Sequence, residues 1–322
     1  MAWPLIKLLP QKTNFKFVRF AGFAAILSVI AVIGSLFLTL YPLSPPCGGL
    51  NCGVDFKGGT AIEVKTDPNQ IDLAKLRAIV SSQDLGDVQV QGFGDGKSAL
   101  VRFETPENKA PAVVVDQVKA KIREGMPGVS FGKTEVVGPK VSGELLVGGV
   151  MALGFAVLLM MAYIWFRFEV QFGFGAVVGL LHDVILTFGL FAITGMEFTL
   201  TSVAALLTII GYSMNDTVVV FDRLRENKRK YKKMPLGEMI DLSINETLSR
   251  TIITGVTSVM ALSGLAILGG EALFSFSIAL IFGIVIGTYS SIYVAAPVIL
   301  LWGVRETDEE AEVVDVGGFK PR

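Results

Sequence analysis

The stretch TLTSVAALLTIIGYSMNDTVVVFDRLREN, residues 199–227, begins as a membrane span, ends in a charged run, and carries Asn215 and Asp216 within its apolar part. If residues 199–221 cross the hydrocarbon, Asp216 lies roughly 9 Å from the midpoint at about 1.5 Å rise per residue. That is too deep for so short a side chain to reach bulk water. A carboxylate at such depth is expensive and marks a functional position.

The rest of the chain belongs to the same class. Of its 322 residues 52% are hydrophobic, and the mean hydropathy is +0.59, above what a water-soluble domain carries. Apolar runs near 20–40, 145–166, 172–194, 199–221, 251–269 and 273–302 are each about the length a bilayer requires, which predicts a polytopic α-helical membrane protein with six transmembrane helices. The first run is preceded by basic residues and followed by prolines rather than by a small-residue cleavage site, so it reads as a span and not as a signal peptide. Lys7, Lys12, Lys16 and Arg19 precede the first span, and Arg223, Arg225, Lys228, Arg229, Lys230, Lys232 and Lys233 follow the fourth. Both flanks are therefore expected in the cytoplasm. The expected organisation is a cytoplasmic segment 1–19, a first span 20–40, an extramembrane domain with linkers 41–143, spans two to six in 144–302, and an acidic cytoplasmic tail 303–322 that contains Glu306, Asp308, Glu309, Glu310 and Glu312.

The insertion between the first two spans faces the compartment opposite the cytoplasm and reads as one small α+β domain. Its pattern is a strand (TAIEVKT), a helix (IDLAKLRAIVSSQ), two strands around a Gly-rich turn (DVQVQGFGDGKSALVRFET), a helix (VVVDQVKAKIRE) and a strand (SFGKTEVV). That order, β-α-β-β-α-β, is the ferredoxin-like arrangement, and Ile71, Leu73, Leu76, Ile79 and Val80 recur at helical spacing to cover one face of the sheet. The insertion holds no His, no nucleophile–base pair and no phosphate loop, so it reads as a binding or moving part rather than a catalytic one. Cys47 and Cys52 in PPCGGLNCG are the only cysteines. A disulfide closing the small loop and a pair of free thiols in a Gly-Pro linker both fit this spacing; a zinc site lacks further ligands nearby.

At about 100° per residue, Thr201, Thr208, Tyr212, Asp216 and Arg223 form one polar stripe on the fourth span, expected to face the bundle interior or a wet cavity. For the Thr and Tyr side chains helix–helix hydrogen bonding is a sufficient role; for Asp216 an Asn or Ser would serve that role at lower cost. Arg250, opening the fifth span in NETLSRTIITG, is the candidate partner. Paired with it the carboxylate stays ionised, and separated from it in an apolar setting it favours a proton, a recipe for a relay; the alternative is an Arg that snorkels to the interface. His182, the single histidine, and Asp183 form a second intramembrane pair on the third span, read either as part of a proton path with Tyr212 and Thr208 or as a local hydrogen-bond anchor. Gly175 and Gly179, like Gly283 and Gly287, have the small-xxx-small spacing of close helix packing.

Three segments, GVDFKGGT after the first span, GYSMNDTVVVFDRLREN closing the fourth and SINETLSRTIITGVTSV opening the fifth, resemble the bacterial SecF family of protein-export membrane proteins, and the resemblance covers nearly the whole chain. SecF belongs with SecD to the resistance-nodulation-division superfamily. The resemblance implies a non-enzymatic accessory subunit of the Sec machinery, in the bacterial inner membrane with both termini cytoplasmic and the insertion periplasmic, using the proton motive force to promote late steps of preprotein translocation. It implies a SecD-like partner in a heterodimer, the SecYEG translocon, a YajC-type subunit and unfolded preprotein as partners, and neither a cofactor, a metal nor nucleic acid. By motif position Asp216, with Asn215 beside it, corresponds to the family's membrane carboxylate and Arg250 to its basic counterpart. Asp55, Phe56, Lys57, Gly58, Gly59 and Thr60 match the DFKGGT motif at the root of the insertion, read as a Gly turn or as a hinge. The competing readings are a scaffold without ion coupling, a small-molecule exporter of the same superfamily, and an intramembrane aspartyl protease, against which SMND stands in place of GxGD. With six spans rather than twelve, the chain reads as half of a pseudo-symmetric transporter.

Overall fold

Six helices of the computed structural model are long and apolar enough to cross a membrane. The structure describes residues 13–43, 47–66, 69–83, 85–86, 88–93, 96–106 and 110–302. Lys7, Lys12, the acidic tail from residue 303 and the centre of the Gly-rich turn lie outside the described residues. The spans are α1 (Phe17–Leu40), then, after the insertion, α5 (Pro139–Arg167), α6 (Val170–Thr194), α7 (Leu200–Lys230), α8 (Leu236–Leu268) and a last one in three parts, α9 (Glu271–Ser290), a π-helical turn (Ser291–Ala295) and α10 (Ala296–Trp302). A π-turn inside a helix is often found at a functional position.

Two helices run well past their apolar stretches. α7 continues beyond residue 221 and α8 starts long before 251, because the polar ends satisfy one another: Asn227 Nδ2 donates to Ser243 Oγ at 3.0 Å and to Glu246 Oε2 at 2.8 Å, and Arg223 pairs with Glu246 at 2.6 Å. The same part of α8 holds the start of α1, whose Val18 N–H donates to Asp241 Oδ1 at 2.8 Å, a carboxylate placed where a helix N-terminus favours negative charge. The glycines of the small-residue pairs sit at close approaches. A Cβ at Gly175 would come 2.5 Å from the carbonyl oxygen of Ala295 in the π-turn, and one at Gly287 2.9 Å from Ser213 Cβ. Phe168, Phe172 and Phe221 pack ring against ring at the centre of the largest apolar cluster.

The insertion contains α2 (Val54–Lys57), β1 (Gly59–Lys65), α3 (Leu73–Ser81), β2 (Gln89–Gly92), β3 (Ser98–Phe103), α4 (Pro111–Gly125) and β4 (Ser130–Val137). The strands form one antiparallel sheet in the order β2-β3-β1-β4, with Ile62 opposite Val101 in β3 and Thr134 in β4. From β1 onward this is the β-α-β-β-α-β unit read from the sequence. Leu76, Val80, Val114, Val118 and Ile122 from the two helices bury against Ile62, Val64, Val101 and Phe103. The unit begins at Gly59 and not earlier, since residues 47–57 pack on the bundle instead: Cys52 and Phe56 are buried with Phe191, Phe198, Val203 and Leu206. α2 is a single turn that the sequence pattern does not announce.

Candidate functional site

Asp216 lies on α7, 3% exposed, and its Oδ2 has no hydrogen-bond partner among the described residues. Arg250 on α8 is close enough to act on it electrostatically but does not form an ion pair with it, and the Arg side chain is exposed. Beside Arg250, the buried Thr251 Oγ1 is also unpartnered. The polar stripe is corrected in one respect: its members Thr201 and Thr208 face outward from the described residues and not into their interior, as does Asn215 beside Asp216. The inward face of α7 is the one bearing Ser202, Leu206, Ile209 and Ser213, because Gly283 and Gly287 let α9 lie directly against Ile209 and Ser213. Thr208 Oγ1 donates back to the carbonyl oxygen of Ala204 at 2.8 Å, and the hydroxyl of half-buried Tyr212 donates to Ser258 Oγ of α8 at 3.3 Å. Arg223, at the end of the stripe, is taken by Glu226 and Glu246. An apolar groove of about 580 Å³ between α5 and α7, lined by Met160, Tyr163, Leu207, Gly211 and Val218, has Asn215 on its wall.

The second pair is wholly interior. His182 is 5% exposed and Asp183 0%. Asp183 Oδ1 is 2.9 Å from His182 Nδ1, and Oδ2 accepts from Ser213 Oγ of α7 at 2.5 Å and from Ser290 Oγ of α9 at 2.7 Å. Ser290 is the residue before the π-turn. His182 stacks on Tyr289 with ring centroids 6.0 Å apart, and the Tyr289 hydroxyl reaches Ala24 O and Ser28 Oγ of α1, each at 3.0 Å. His182 Nε2 is buried without a partner. The oxygens of Asp183 are thus engaged by groups other than Asp216, so the two aspartates do not form a dyad of the aspartyl-protease kind. Ser213 and Ser290 are absent from the sequence-derived site; the only hint is a Ser one turn before Asp216.

The root of the insertion forms the third cluster. Cys47 and Cys52 are joined in a disulfide. The strand-like backbone after it is clipped to the α6–α7 connection: Phe198 N–H donates to Asn51 O at 2.8 Å, and Gly53 N–H to Phe198 O at 2.9 Å. Asp55 Oδ2 accepts from Leu200 N at 2.9 Å, capping the first turn of α7. Phe56 packs on Phe198 with centroids 5.7 Å apart, while Lys57 is exposed. Gly58 (φ +76°) and Gly59 (φ +102°) occupy backbone conformations that favour glycine, and a Cβ on Gly59 would lie 2.7 Å from Phe103 O. Thr60 Oγ1 bonds Thr105 Oγ1 at 2.7 Å. Next to them Arg102 of β3 pairs with Glu197 at 2.7 Å. Burial pushes the Glu197 carboxyl up from its ordinary value, against the opposing pull of the Arg102 guanidinium. Among the described residues no group of three or more His, Cys, Asp or Glu side chains is placed to hold a metal ion.

Two family descriptions match the chain: "Protein export membrane protein SecD/SecF, C-terminal" over residues 117–305, and "SecD/SecF GG Motif" over residues 49–70, the stretch that contains Asp55 to Thr60. The protein translocase subunit SecF of Rickettsia rickettsii is 41% identical over 307 residues, covering 95% of this chain and 97% of its own. That of Rhodobacter capsulatus is 44% identical over 326 residues, covering 96% and 95%. The crystal structure of SecDF, a translocon-associated membrane protein from Thermus thermophilus, superposes with a TM-score of 0.81 at 30% identity. It covers 92% of this chain, whereas this chain spans only 39% of that longer one.

Proposed function

The chain belongs to the SecD/SecF family of protein-export membrane proteins, multi-pass inner-membrane accessory proteins rather than enzymes, and from that premise we propose that it couples the proton motive force to late steps of preprotein translocation. The observation that carries this reading is the buried carboxylate of Asp216, unpartnered at Oδ2 among the described residues, next to a face of α7 that those residues leave uncovered. A buried polar group without partners is costly, and native proteins rarely keep one idle. The missing partners would come from a SecD-like subunit seated on the groove between α5 and α7, in keeping with the longer SecDF chain of which this one matches two-fifths.

In that complex Asp216 takes up and releases the proton, Arg250 is the counter-charge that makes the ionised form tolerable, and Asn215, Tyr212 and Thr208 line the approach. His182 and Asp183 brace the helices around it. The insertion lies in the periplasm, the termini and the α7–α8 hairpin in the cytoplasm, and the SecYEG translocon, a YajC-type subunit and unfolded preprotein are the further partners. Moving one charge through 100 mV is worth about 2.3 kcal/mol, enough to bias a helix movement. Movement of α7 reaches the periplasmic domain through Asp55, bonded to its first turn, with Gly58 and Gly59 as the hinge. The test is Asp216→Asn in a complex reconstituted with its SecD-like partner. Loss of gradient-stimulated export with the complex recovered intact is the expected result; poor recovery of the complex would favour a scaffold role instead.

A further inference from the structure

The open face of the sheet, opposite α3 and α4, rests on the bundle through side chains that the coupling route above does not use. Arg102 is 8% exposed, a charged residue on a strand that is buried along nearly its whole length. Its Nη2 is 2.7 Å from Glu197 Oε2, and its Nη1 donates to Asn51 Oδ1 at 3.1 Å. Asn51 in turn donates from Nδ2 to Gly195 O at 2.9 Å. Gly195 and Glu197 belong to the short connection between α6 and α7, and a Cβ at Gly53 would overlap the Glu197 carboxylate. One strand of the domain is therefore tied to the residues immediately ahead of α7.

A buried arginine–carboxylate pair is a weak source of stability, because desolvation offsets its attraction, yet losing either partner strands a charge. Its value is that it selects one arrangement. Here that arrangement has a mechanical consequence. Asp55 attaches the domain to α7 on one side of Gly58 and Gly59, where backbone rotation is easy; Arg102 attaches it on the other side. With only the first attachment, rotation at the two glycines would absorb a displacement of α7. With both, the sheet must follow.

We propose that Arg102 and Glu197 are positioning residues for coupling, a latch that makes the α+β domain move with the N-terminal end of α7. The proposal rests on the coupling function above and adds to it a second, specific transmission point.

The test uses the full complex with its SecD-like partner in proteoliposomes, carrying Arg102→Glu, Glu197→Arg, or both together. Two quantities are read: amide hydrogen exchange in residues 98–103 and 195–199, and gradient-stimulated export relative to export without a gradient. Each single reversal sets like charges against each other and is expected to speed exchange about tenfold or more and to lower stimulated export roughly fivefold, with unstimulated export unchanged. The double reversal restores both to within about twofold. Unchanged exchange in the single reversals overturns the latch; faster exchange with full stimulation overturns transmission through it; loss of stimulation that the double reversal does not rescue overturns the pairing. These failures leave the coupling function standing. If Asp216→Asn leaves stimulation intact, the coupling function falls and the latch proposal with it.

Discussion

Asp183 and Asp216 are carboxylates on neighbouring membrane helices, equally hidden from solvent and oppositely treated. Asp183 is 0% exposed and is met by His182, Ser213 and Ser290, from three different helices. Asp216 is 3% exposed and its Oδ2 has no hydrogen-bond partner among the described residues. Burial thus does not tell the two aspartates apart; hydrogen-bond satisfaction does. A fully bonded carboxylate fixes the helices that bond it, since every donor would be stranded by its departure. An unsatisfied one is waiting for a proton or a partner. The bundle in this view has a rigid centre at α6, α7 and α9 and an unfinished edge on the other side of α7.

The largest effect that would break this comparison concerns Asp216. Asp216→Asn keeps shape and removes the ionisable carboxylate, and gradient-stimulated export in the reconstituted complex is expected to fall to the unstimulated level while thermal stability stays within about 0.5 kcal/mol of wild type. Asp183→Ala should do the reverse in kind: it strands two hydroxyls and an imidazole and lowers stability by about 2–4 kcal/mol, read as a drop in the unfolding midpoint in detergent. An Asp183→Asn variant that folds normally yet loses all stimulation would erase the distinction, making Asp183 a second coupling group. Smaller still, Ser213→Ala and Ser290→Ala each remove one bond to Asp183 Oδ2 and should cost about 0.5–1.5 kcal/mol. Because they share an acceptor, their combination should depart from the sum.

How far these sites could be read from the sequence follows from what sequence periodicity encodes. Depth in a span is nearly one-dimensional, so the apolar runs located six helices and singled out Asp216. Period-two and helical patterns in the insertion likewise yielded the β-α-β-β-α-β unit, whose elements are local. The direction in which the polar stripe faces is not local. The helix wheel groups Thr201, Thr208, Tyr212 and Asp216 but is silent on which side of α7 the neighbours stand. That side is chosen by Gly283 and Gly287, which admit α9 against Ile209 and Ser213. The extensions of α7 and α8 were hidden for a similar reason, since bonds such as Asn227 to Ser243 replace the apolar signal. The role of Arg102 has no local signal in the sequence, because its partner Glu197 lies in a loop far along the chain.

Glu197 offers a third kind of carboxylate against which to sharpen the contrast, half-buried where the other two are buried, outside the spans and paired with a single cation. Its carboxyl is held above the ordinary value because burial outweighs Arg102, with Glu135 and Asp55 adding to the rise. Lys133, the other charge that faces this cluster, is itself held by Glu135. A group with a raised value in the docked state binds its proton more tightly there than when the sheet lifts away. Docking is therefore strongest below the ordinary carboxylate range and weakens as pH rises through the raised value. The slope is at most one proton, about 1.4 kcal/mol per pH unit. Glu197→Gln keeps the hydrogen-bonding shape without the titration, so hydrogen exchange at residues 98–103 should stay slow in this variant and lose its pH dependence after correction for intrinsic exchange. A pH dependence equal to that of the wild type would show that Glu197 is not the group whose protonation controls docking.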